Sequence, residues 1–547
     1  MWQRSTTRRF LCWLFSWRGI RRGLILCASV ATLIVLFYTV ENWRGKRAWE
    51  AHKRQWEARG EKFTLTQLAP PPVPDDQNFV MTPLLKPLFD YTREAGPKAR
   101  APFPYRDDSV VWRDSNAVAR LDRVQAELSD GRKTNNHLVL GNLEKGLFAD
   151  LQACREFYRG NTNYPQPATP GTPAADILFA LTKFDPEIKE LCEAATTRPY
   201  SRFAIEYDHE PSWSIQLRHL PPVKQIGKLT HARALARLEL GRSAEAFEEL
   251  KLGLRASDSI RDDPILIDHL VRTATLSMNL QTLREGLVRH AWSDAQLAEV
   301  EKYLASVDLL AEYKLAMRGE RAWSVRGLDW LRRQGFKVDL GFFRVIGEEE
   351  NPGFARFMAL MPGGWYYQNM LAISDMFQKF NFPAVDEKAR RVFPDIADKS
   401  DAAVNSLAER PNPYRLFARI LMPALSNAIK RTARMQTSVD AARLACALER
   451  YRLANGKLPG TLDALTPRFI ASIPIDVIDG KPLRYQLKPD GGYVVYSVGW
   501  NKTDEGGEIG WKKSPGSKEP NVDITQGDWV WQMPVKPVTA SQLALTR

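Results

Sequence analysis

An uninterrupted apolar run near the N-terminus constrains this chain most. The 18 residues from Gly23 to Val40 include no charged side chain. At a rise of about 1.5 Å per residue, a helix of this length nearly crosses a hydrocarbon core of about 30 Å. No small-x-small cleavage site follows Val40, and Leu26 stands before Cys27 where a lipoprotein signal needs a small residue. The run therefore predicts a single membrane-spanning helix over residues 23–40, without cleavage or lipidation.

The charges that flank this run bear on its orientation. Residues 1–22 contain six Arg and no acidic residue, a composition that favours retention in the cytoplasm. Residues 41–62 contain seven Lys or Arg, offset by four Glu. Long following domains cross the membrane largely regardless of such charge. We expect the N-terminus in the cytoplasm and the body on the other side.

The net charge of +13 is concentrated at the N-terminus. Residues 1–62 carry 13 Lys or Arg and 4 Asp or Glu, which leaves 64 basic and 60 acidic residues, a balance of +4, for the rest. A nearly neutral body argues against nucleic acid as a partner. A hydrophobic content of 44% excludes disorder throughout the chain.

The pattern predicts a mainly α chain with a small C-terminal α+β module and one N-terminal transmembrane helix. A Pro-rich stretch from Ala69 to Gln77 cannot continue a helix and serves as the boundary before the body. The predicted divisions are a basic cytoplasmic segment (1–22), the span (23–40), a juxtamembrane helix with its Pro-rich linker (41–78), a helical domain (79–430), the α+β module (431–535) and a tail (536–547).

Within the helical domain, residues 225–320 have the strongest helical pattern. An apolar run from Ala232 ends at Gly241, and a second amphipathic run covers Ala244–Leu254. No second copy follows 34 residues on, so we predict one α-hairpin rather than a repeat array. Residues 114–159 predict two further helices, with apolar stripes at Val118, Leu121 and Leu128 and at Leu143, Leu147, Leu151 and Cys154.

The segment Asn351–Asp386 is rich in Met and aromatic residues. Such a composition suits a groove for a partner or an apolar ligand. It equally suits ordinary core, with Pro362-Gly363-Gly364 as a turn between helices, and this second interpretation is the favoured one.

The C-terminal region has a local sequence pattern that predicts its helices and strands. Apolar residues at Ala441, Leu444, Leu448 and Tyr451 lie on one helical face, and Asn455-Gly456 is a helix stop. A short helix is expected around Leu462–Leu465. Two strands, Leu483–Leu487 and Tyr493–Val498, are joined by a turn rich in Pro, Asp and Gly.

Three runs in this region, ALERYRLANGKLP, IDGKPLRY and YSVGWNKTDEGG, resemble the soluble part of the major pseudopilins of type II secretion systems. The resemblance covers about 100 of 547 residues. It implies an α+β unit and a calcium ion in the loop after the last strands, with Asn501, Asp504 and Asp523 as the candidate ligands. Asn501 stands where the family usually has an acid. The span lacks the Glu that pseudopilins need, so processing and assembly into a filament are not expected.

Short catalytic motifs are missing from the sequence. It has no HExxH, GxSxG, Walker A or GxGxxG pattern, so it offers no catalytic or cofactor-binding residues. The densest cluster, Asp208-His209-Glu210, is too local for a metal site. The acidic groups Asp262-Asp263 and Glu348-Glu349-Glu350 are interpreted as solvated loop faces. Cys154 and Cys192 could pair outside the cytoplasm, a question that the sequence leaves open.

These features favour a scaffold or interaction protein anchored in a bacterial inner membrane, with the lipid bilayer and envelope proteins as partners. The pseudopilin resemblance implies a link to a secretion- or pilus-like apparatus, and the stretch from His219 to Thr275 resembles uncharacterised bacterial membrane-anchored proteins. The alternative is a membrane-anchored hydrolase whose site assembles from distant residues around the Met and aromatic segment. The oligomeric state is left open.

Overall fold

The computed structural model describes residues 16–93, 110–116, 140–335, 352–409, 412–513, 520–539 and 542. It confirms a mainly α chain with a small C-terminal α+β module and one long apolar N-terminal helix. The helices are α1 Trp17–Glu57, α2 Leu65–Leu68, α3 Leu151–Arg159, α4 Pro173–Leu181, α5 Asp185–Thr197, α6 Leu220–Glu239, α7 Ser243–Asp258, α8 Leu266–Val288, α9 Asp294–Ala305, α10 Leu309–Gln334, α11 Pro352–Leu360, α12 Gly363–Met376, α13 Pro394–Glu409, α14 Leu416–Leu421 and α15 Ser426–Asn455. The strands are β1 Tyr91–Arg93, β2 Val110–Trp112, β3 Val385–Asp386, β4 Arg391–Val392, β5 Arg484–Leu487, β6 Tyr493–Ser497, β7 Ile509–Lys512, β8 Asn521–Gly527 and β9 Trp529–Met533.

Helix α1 contains the predicted span and continues well beyond it. It is the one helix of the described residues that is long and apolar enough to cross a membrane, and its apolar window is fully exposed. Past the span, Glu41, Gly45 and Trp49 recur every four residues and are buried. This face packs on α12, and Trp49 shares a core with Phe63 and with residues of α10 and α12. The juxtamembrane stretch is therefore packed into the body.

The predicted α-hairpin is confirmed as α6 and α7. Gly241 joins them with a φ of 70°, a left-handed conformation that glycine adopts without strain. A Cβ atom at Gly253 of α7 would overlap the Asn279 side chain of α8. The absence of a side chain here lets α7 and α8 approach closely, and α8 packs on α6 as well.

The predicted helix through Leu143 and Leu147 is wrong. Gly141 and Gly146 have positive φ values of 87° and 69°, and the backbone of Asn142 pairs with that of Leu147. The helix α3 starts only at Leu151, where the Asp150 side chain accepts a hydrogen bond from the Ala153 N–H. The other predicted stripe, at Val118, Leu121 and Leu128, lies outside the described residues.

The Met and aromatic segment forms core, as the favoured interpretation held. Met358, Tyr366, Met370 and Met376 are all buried. They contribute to the core that also buries Trp49 of α1. The segment therefore forms the surface on which α1 packs.

The C-terminal module follows the predicted order. Helix α15 ends at Gly456, whose φ is 72°, and the predicted short helix is a 3-10 turn over Leu462–Leu465. Strands β5, β6 and β9 form an antiparallel sheet in which Val495 pairs with Tyr485 on one side and with Trp531 on the other. This sheet packs on α15, while β7 and β8 form a separate ribbon.

Candidate ligand-binding cleft

A cleft of about 580 Å³ opens where four helices meet the loop 140–144. Helix α8 presents Leu270, Thr273, Ser277 and Gln281 to it. These residues recur every three or four positions and so lie on one helical face. Helix α15 contributes a second set of lining residues with the same spacing: Asn427, Arg431, Arg434 and Ser438. Helix α3 adds Phe157 and Tyr158, and α6 adds Lys228 and His231.

Positive charge dominates the polar lining. Lys228 is half-buried, and its burial together with nearby Lys224 lowers the pKa of its ammonium group. Neither Lys228 nor Arg431 has an ion-pair partner within the part of the chain that the structure describes. Arg434 is buried, and its Nη1 lies 3.5 Å from Oε2 of Glu144, whose side chain is largely exposed. The cleft thus has three cations against one carboxylate.

Apolar and aromatic side chains make up much of the remaining lining. Phe157, Tyr158 and Tyr164 line it on one side, and Leu270, Met278 and Met435 contribute elsewhere. Clefts of this size, largely apolar with a few convergent polar groups, are typical ligand sites. The composition suits a ligand that joins an anionic group to an apolar body.

Cys154 and His231 are two titratable side chains of the cleft, and burial shifts the pKa of each. Burial raises the pKa of the Cys154 thiol to about 12, so the thiolate nucleophile does not form at neutral pH. Burial lowers the pKa of His231, which keeps its ring neutral. Its Nε2–H donates to the Leu140 carbonyl at 3.0 Å, and Nδ1 then accepts from the Thr282 hydroxyl at 2.6 Å. Both ring nitrogens of His231 are thus engaged by the protein, and the Cys154 thiol is protonated at neutral pH.

The residues of the expected calcium loop have protein partners in the structure. The Asn501 side-chain amide donates to Glu505 Oε1 at 2.6 Å. Asp504 Oδ2 lies 3.5 Å from Nε of Arg484. Asp523, on β8, accepts from the Thr525 backbone N–H at 3.0 Å. Calcium binding by Asn501, Asp504 and Asp523 stays a prediction.

The interpretation of Asp262-Asp263 as a solvated pair is wrong for Asp263. Asp262 is exposed, whereas Asp263 is buried and accepts a hydrogen bond from the Tyr207 hydroxyl at 2.8 Å. The next residue, Pro264, packs closely on Gly319 of α10, because a Cβ atom at Gly319 would overlap the Pro264 carbonyl. This contact carries Asp263 into the interior. The group Glu348-Glu349-Glu350 lies outside the described residues.

Other sequence candidates are engaged elsewhere. His209 lies 3.7 Å from Glu206, and Glu210 pairs with Arg333 at 2.6 Å. Cys154 and Cys192 are both free thiols in the structure. Neither the cluster Asp208-His209-Glu210 nor the cysteine pair defines a site.

Comparison with known proteins finds no matching family model, no matching curated protein and no matching solved structure. The interpretation of the cleft as a binding site therefore depends on its geometry alone. The cations of the cleft were not identified from the sequence. The one signal available was the spacing of Arg431 and Arg434, which lie beside polar residues on an otherwise buried helix.

Proposed function

We propose that this chain is an interaction protein of the bacterial envelope, anchored in the inner membrane with its N-terminus in the cytoplasm and its body outside. In this proposal, the cleft binds a short acidic segment with apolar side chains from an envelope partner. The resemblance of the C-terminal module to pseudopilins supports a component of a secretion- or pilus-like apparatus as that partner. The observation that carries the proposal is the cationic, partly apolar cleft.

The docking of α1 supports a body held directly against the bilayer. The Tyr38 hydroxyl, near the end of the span, donates to the Leu360 carbonyl of α11. Phe357 and Leu360 of the same helix are 41% and 58% exposed. Because α11 contacts the end of the span, these apolar side chains suit contact with the lipid interface.

The topology is tested by thiol labelling in intact cells. Thr503, exposed in the loop beside Asp504, is replaced by Cys in a chain whose five native cysteines are substituted. We expect an impermeant thiol reagent to label this Cys without lysis. Labelling that requires lysis would place the body in the cytoplasm and overturn the envelope assignment.

The cleft is tested by photo-crosslinking in the same cells. A benzophenone amino acid at Thr273, on the cleft wall, is expected to give one protein adduct of defined mass. The same probe at Glu248, whose side chain is 64% exposed on α7, is the matched control. Replacing Lys228 and Arg431 together with Gln should reduce the Thr273 adduct at least fivefold while the fold is retained. An adduct that survives this change, or that forms equally from Glu248, contradicts the proposed role of the cleft.

A further inference from the structure

A second group of chemistry-bearing side chains lies away from the cleft, where three segments of the helical body converge. His219 directly precedes α6, Asp263 lies in the loop between α7 and α8, and Asp268 is in the first turn of α8. Asp263 and Asp268 are close together in the sequence, whereas His219 stands 44 positions before Asp263. Packing of α6 against α8 brings them together.

The distances within this group approach those between ligands of a single metal ion, and the shortest of them falls within that range. Nε2 of His219 lies 3.2 Å from Oδ1 of Asp268 and 3.8 Å from Oδ2 of Asp263. One ligand atom from each of the three residues lies within 4.8 Å of the other two. Two ligands bound to one ion at about 2.1 Å stand roughly 3.0 to 3.5 Å apart in octahedral or tetrahedral geometry.

Burial makes this arrangement costly without a further partner. His219 and Asp268 have no exposed surface, and Asp263 is 5% exposed. Within the described chain, no residue makes a hydrogen bond to either ring nitrogen of His219, to either carboxylate oxygen of Asp268, or to Oδ2 of Asp263. Buried polar atoms are almost always hydrogen-bonded, and buried charges are paired or bind metals. Five buried polar atoms lack a hydrogen-bond partner among the described residues, and one ligand atom from each of the three side chains lies within 4.8 Å of the others, so the group points to a cation between them.

The surroundings fix the three side chains in place. The Tyr207 hydroxyl donates to the second oxygen of Asp263 at 2.8 Å, which turns Oδ2 toward His219. The ring of Phe203 lies 4.4 Å from the His219 ring, and that of Phe89 lies 5.9 Å away. Outer partners of this kind, which orient the ligands and exclude water, are usual around metal sites.

The charges of the group favour a divalent ion. Two buried carboxylates share this site with one imidazole, and like charges in an apolar site repel each other. A divalent cation would neutralise both carboxylates and leave the imidazole neutral. One nitrogen and two carboxylate ligands suit Zn²⁺, Mn²⁺ or Fe²⁺, whereas Ca²⁺ and Mg²⁺ prefer ligand sets made wholly of oxygen.

We propose that His219, Asp263 and Asp268 form a structural site for one divalent transition-metal ion, with Zn²⁺ the best match. The ion ties the start of α6 to the start of α8 and to the loop before it. Because all three ligands are buried, the ion fastens the helical body rather than meeting a substrate. Tyr207 acts as a positioning residue for Asp263.

The test measures metal content in the full-length protein in detergent. The protein is loaded with excess Zn²⁺, dialysed exhaustively and analysed by mass spectrometry for bound metal. We expect one Zn²⁺ per chain in the wild type and in Asp262→Asn, which alters the exposed neighbouring acid. Asp263→Asn and Asp268→Asn should bind at least tenfold less. Wild-type protein without Zn²⁺, or Asp268→Asn with undiminished Zn²⁺, would overturn the proposal and indicate a proton-bridged cluster or metal at the surface.

Two further measurements keep the proposal testable if a ligand variant does not fold. Tyr207→Phe leaves all three ligands in place and should weaken Zn²⁺ binding about 10- to 100-fold. Co²⁺ in the wild type should give a visible absorption band of low-symmetry nitrogen and oxygen ligation that one equivalent of Zn²⁺ removes. A Co²⁺ spectrum identical to that of the free hydrated ion, or unchanged Zn²⁺ affinity in Tyr207→Phe, contradicts the site.

Discussion

Gly45 of the long N-terminal helix α1 and Gly364 of α12 contact each other backbone to backbone. A Cβ atom at Gly45 would overlap the Gly364 carbonyl, and one at Gly364 would overlap the carbonyl of Glu41. Close approach of this kind requires glycine on both helices. Because α1 is one unbroken helix, this contact fixes the orientation of the body relative to the apolar N-terminal part of α1.

Replacing Gly45 with Ala should loosen this contact. The added methyl group has no space, so the helices must separate, and an overpacked core typically loses about 1–3 kcal/mol. We expect a lower thermal unfolding temperature for the full-length protein in detergent, together with faster proteolysis after α1. Gly460→Ala is the control, because no atom lies within 4 Å of its added Cβ. Equal unfolding temperatures for Gly45→Ala and the wild type would refute the glycine contact.

Arg272 of α8 is the central cation of a buried ion-pair network. It is 1% exposed, and it donates to Asp258 at 2.8 Å through Nη1 and to Glu312 at 2.7 Å through Nε. Arg272→Ala leaves both carboxylates without their cation. We expect the free energy of unfolding, measured by denaturant titration, to fall by about 3–5 kcal/mol.

An exposed ion pair provides the contrast. Lys251 lies 2.8 Å from Glu248, with side chains 40% and 64% exposed. Lys251→Ala should change the free energy of unfolding by less than about 1 kcal/mol. If the two variants cost the same, burial does not decide the strength of these pairs.

His269 predicts a loss of stability in acid. Its ring is buried, and burial, with a further contribution from the positive charge of Arg272, lowers the pKa to about 3. The unfolded chain protonates this residue near pH 6.5, so the unfolded state binds more protons between pH 6.5 and 3. The free energy of unfolding should therefore fall as the pH is lowered through this range, by up to about 1.4 kcal/mol per pH unit from this group.

Denaturant titrations at several pH values isolate this effect. His269→Gln should show a shallower pH dependence below pH 6.5 than the wild type. The Thr432 hydroxyl donates to the Ala428 carbonyl at 2.9 Å, so His269 Nε2–H donates to Thr432 at 2.9 Å. Thr432→Val removes this hydrogen bond without removing the titrating ring, so it should lower stability by about 1 kcal/mol at every pH. Parallel pH profiles for His269→Gln and the wild type would contradict the prediction.

The sequence predicted those parts of the fold that depend on local signals. Gly456 stops α15 because a left-handed residue is needed there, and glycine supplies it. Gly241 separates α6 from α7 for the same reason. The run of aromatic and β-branched residues in β6 and the turn before it also sufficed for the hairpin with β5. In each case, a few consecutive residues contain the whole signal.

The cleft and the metal-ligand group depend on long-range packing and were not predicted. Lys228 and Arg431 are 203 positions apart in sequence, and nothing local indicates that they face one cleft. Asp263 has the local pattern of a solvated loop acid, but it is buried in tertiary packing, where it accepts from the Tyr207 hydroxyl. The start of α3 was misplaced because an apolar spacing at Leu143 and Leu147 outweighed two glycines that adopt positive φ.

Glu41, at the boundary between the span and the body, should be the charged residue of α1 that matters most for docking. Its Oε2 accepts from Trp365 Nε1 at 2.9 Å and from the Tyr414 hydroxyl at 3.1 Å, and Arg44 pairs with it at 3.0 Å. Glu41→Ala removes a charged acceptor and leaves the Trp365 N–H without its partner, so we expect a loss of about 1.5–3 kcal/mol in the free energy of unfolding.

Glu50, on the same helix, lies 3.7 Å from Lys46 and is 45% exposed, so Glu50→Ala should cost less than about 1 kcal/mol. The tryptophan fluorescence of Glu41→Ala should also shift to longer wavelength as Trp365 becomes hydrated. A larger effect from Glu50→Ala than from Glu41→Ala would show that the anchor is held by its exposed charges and not by this buried contact.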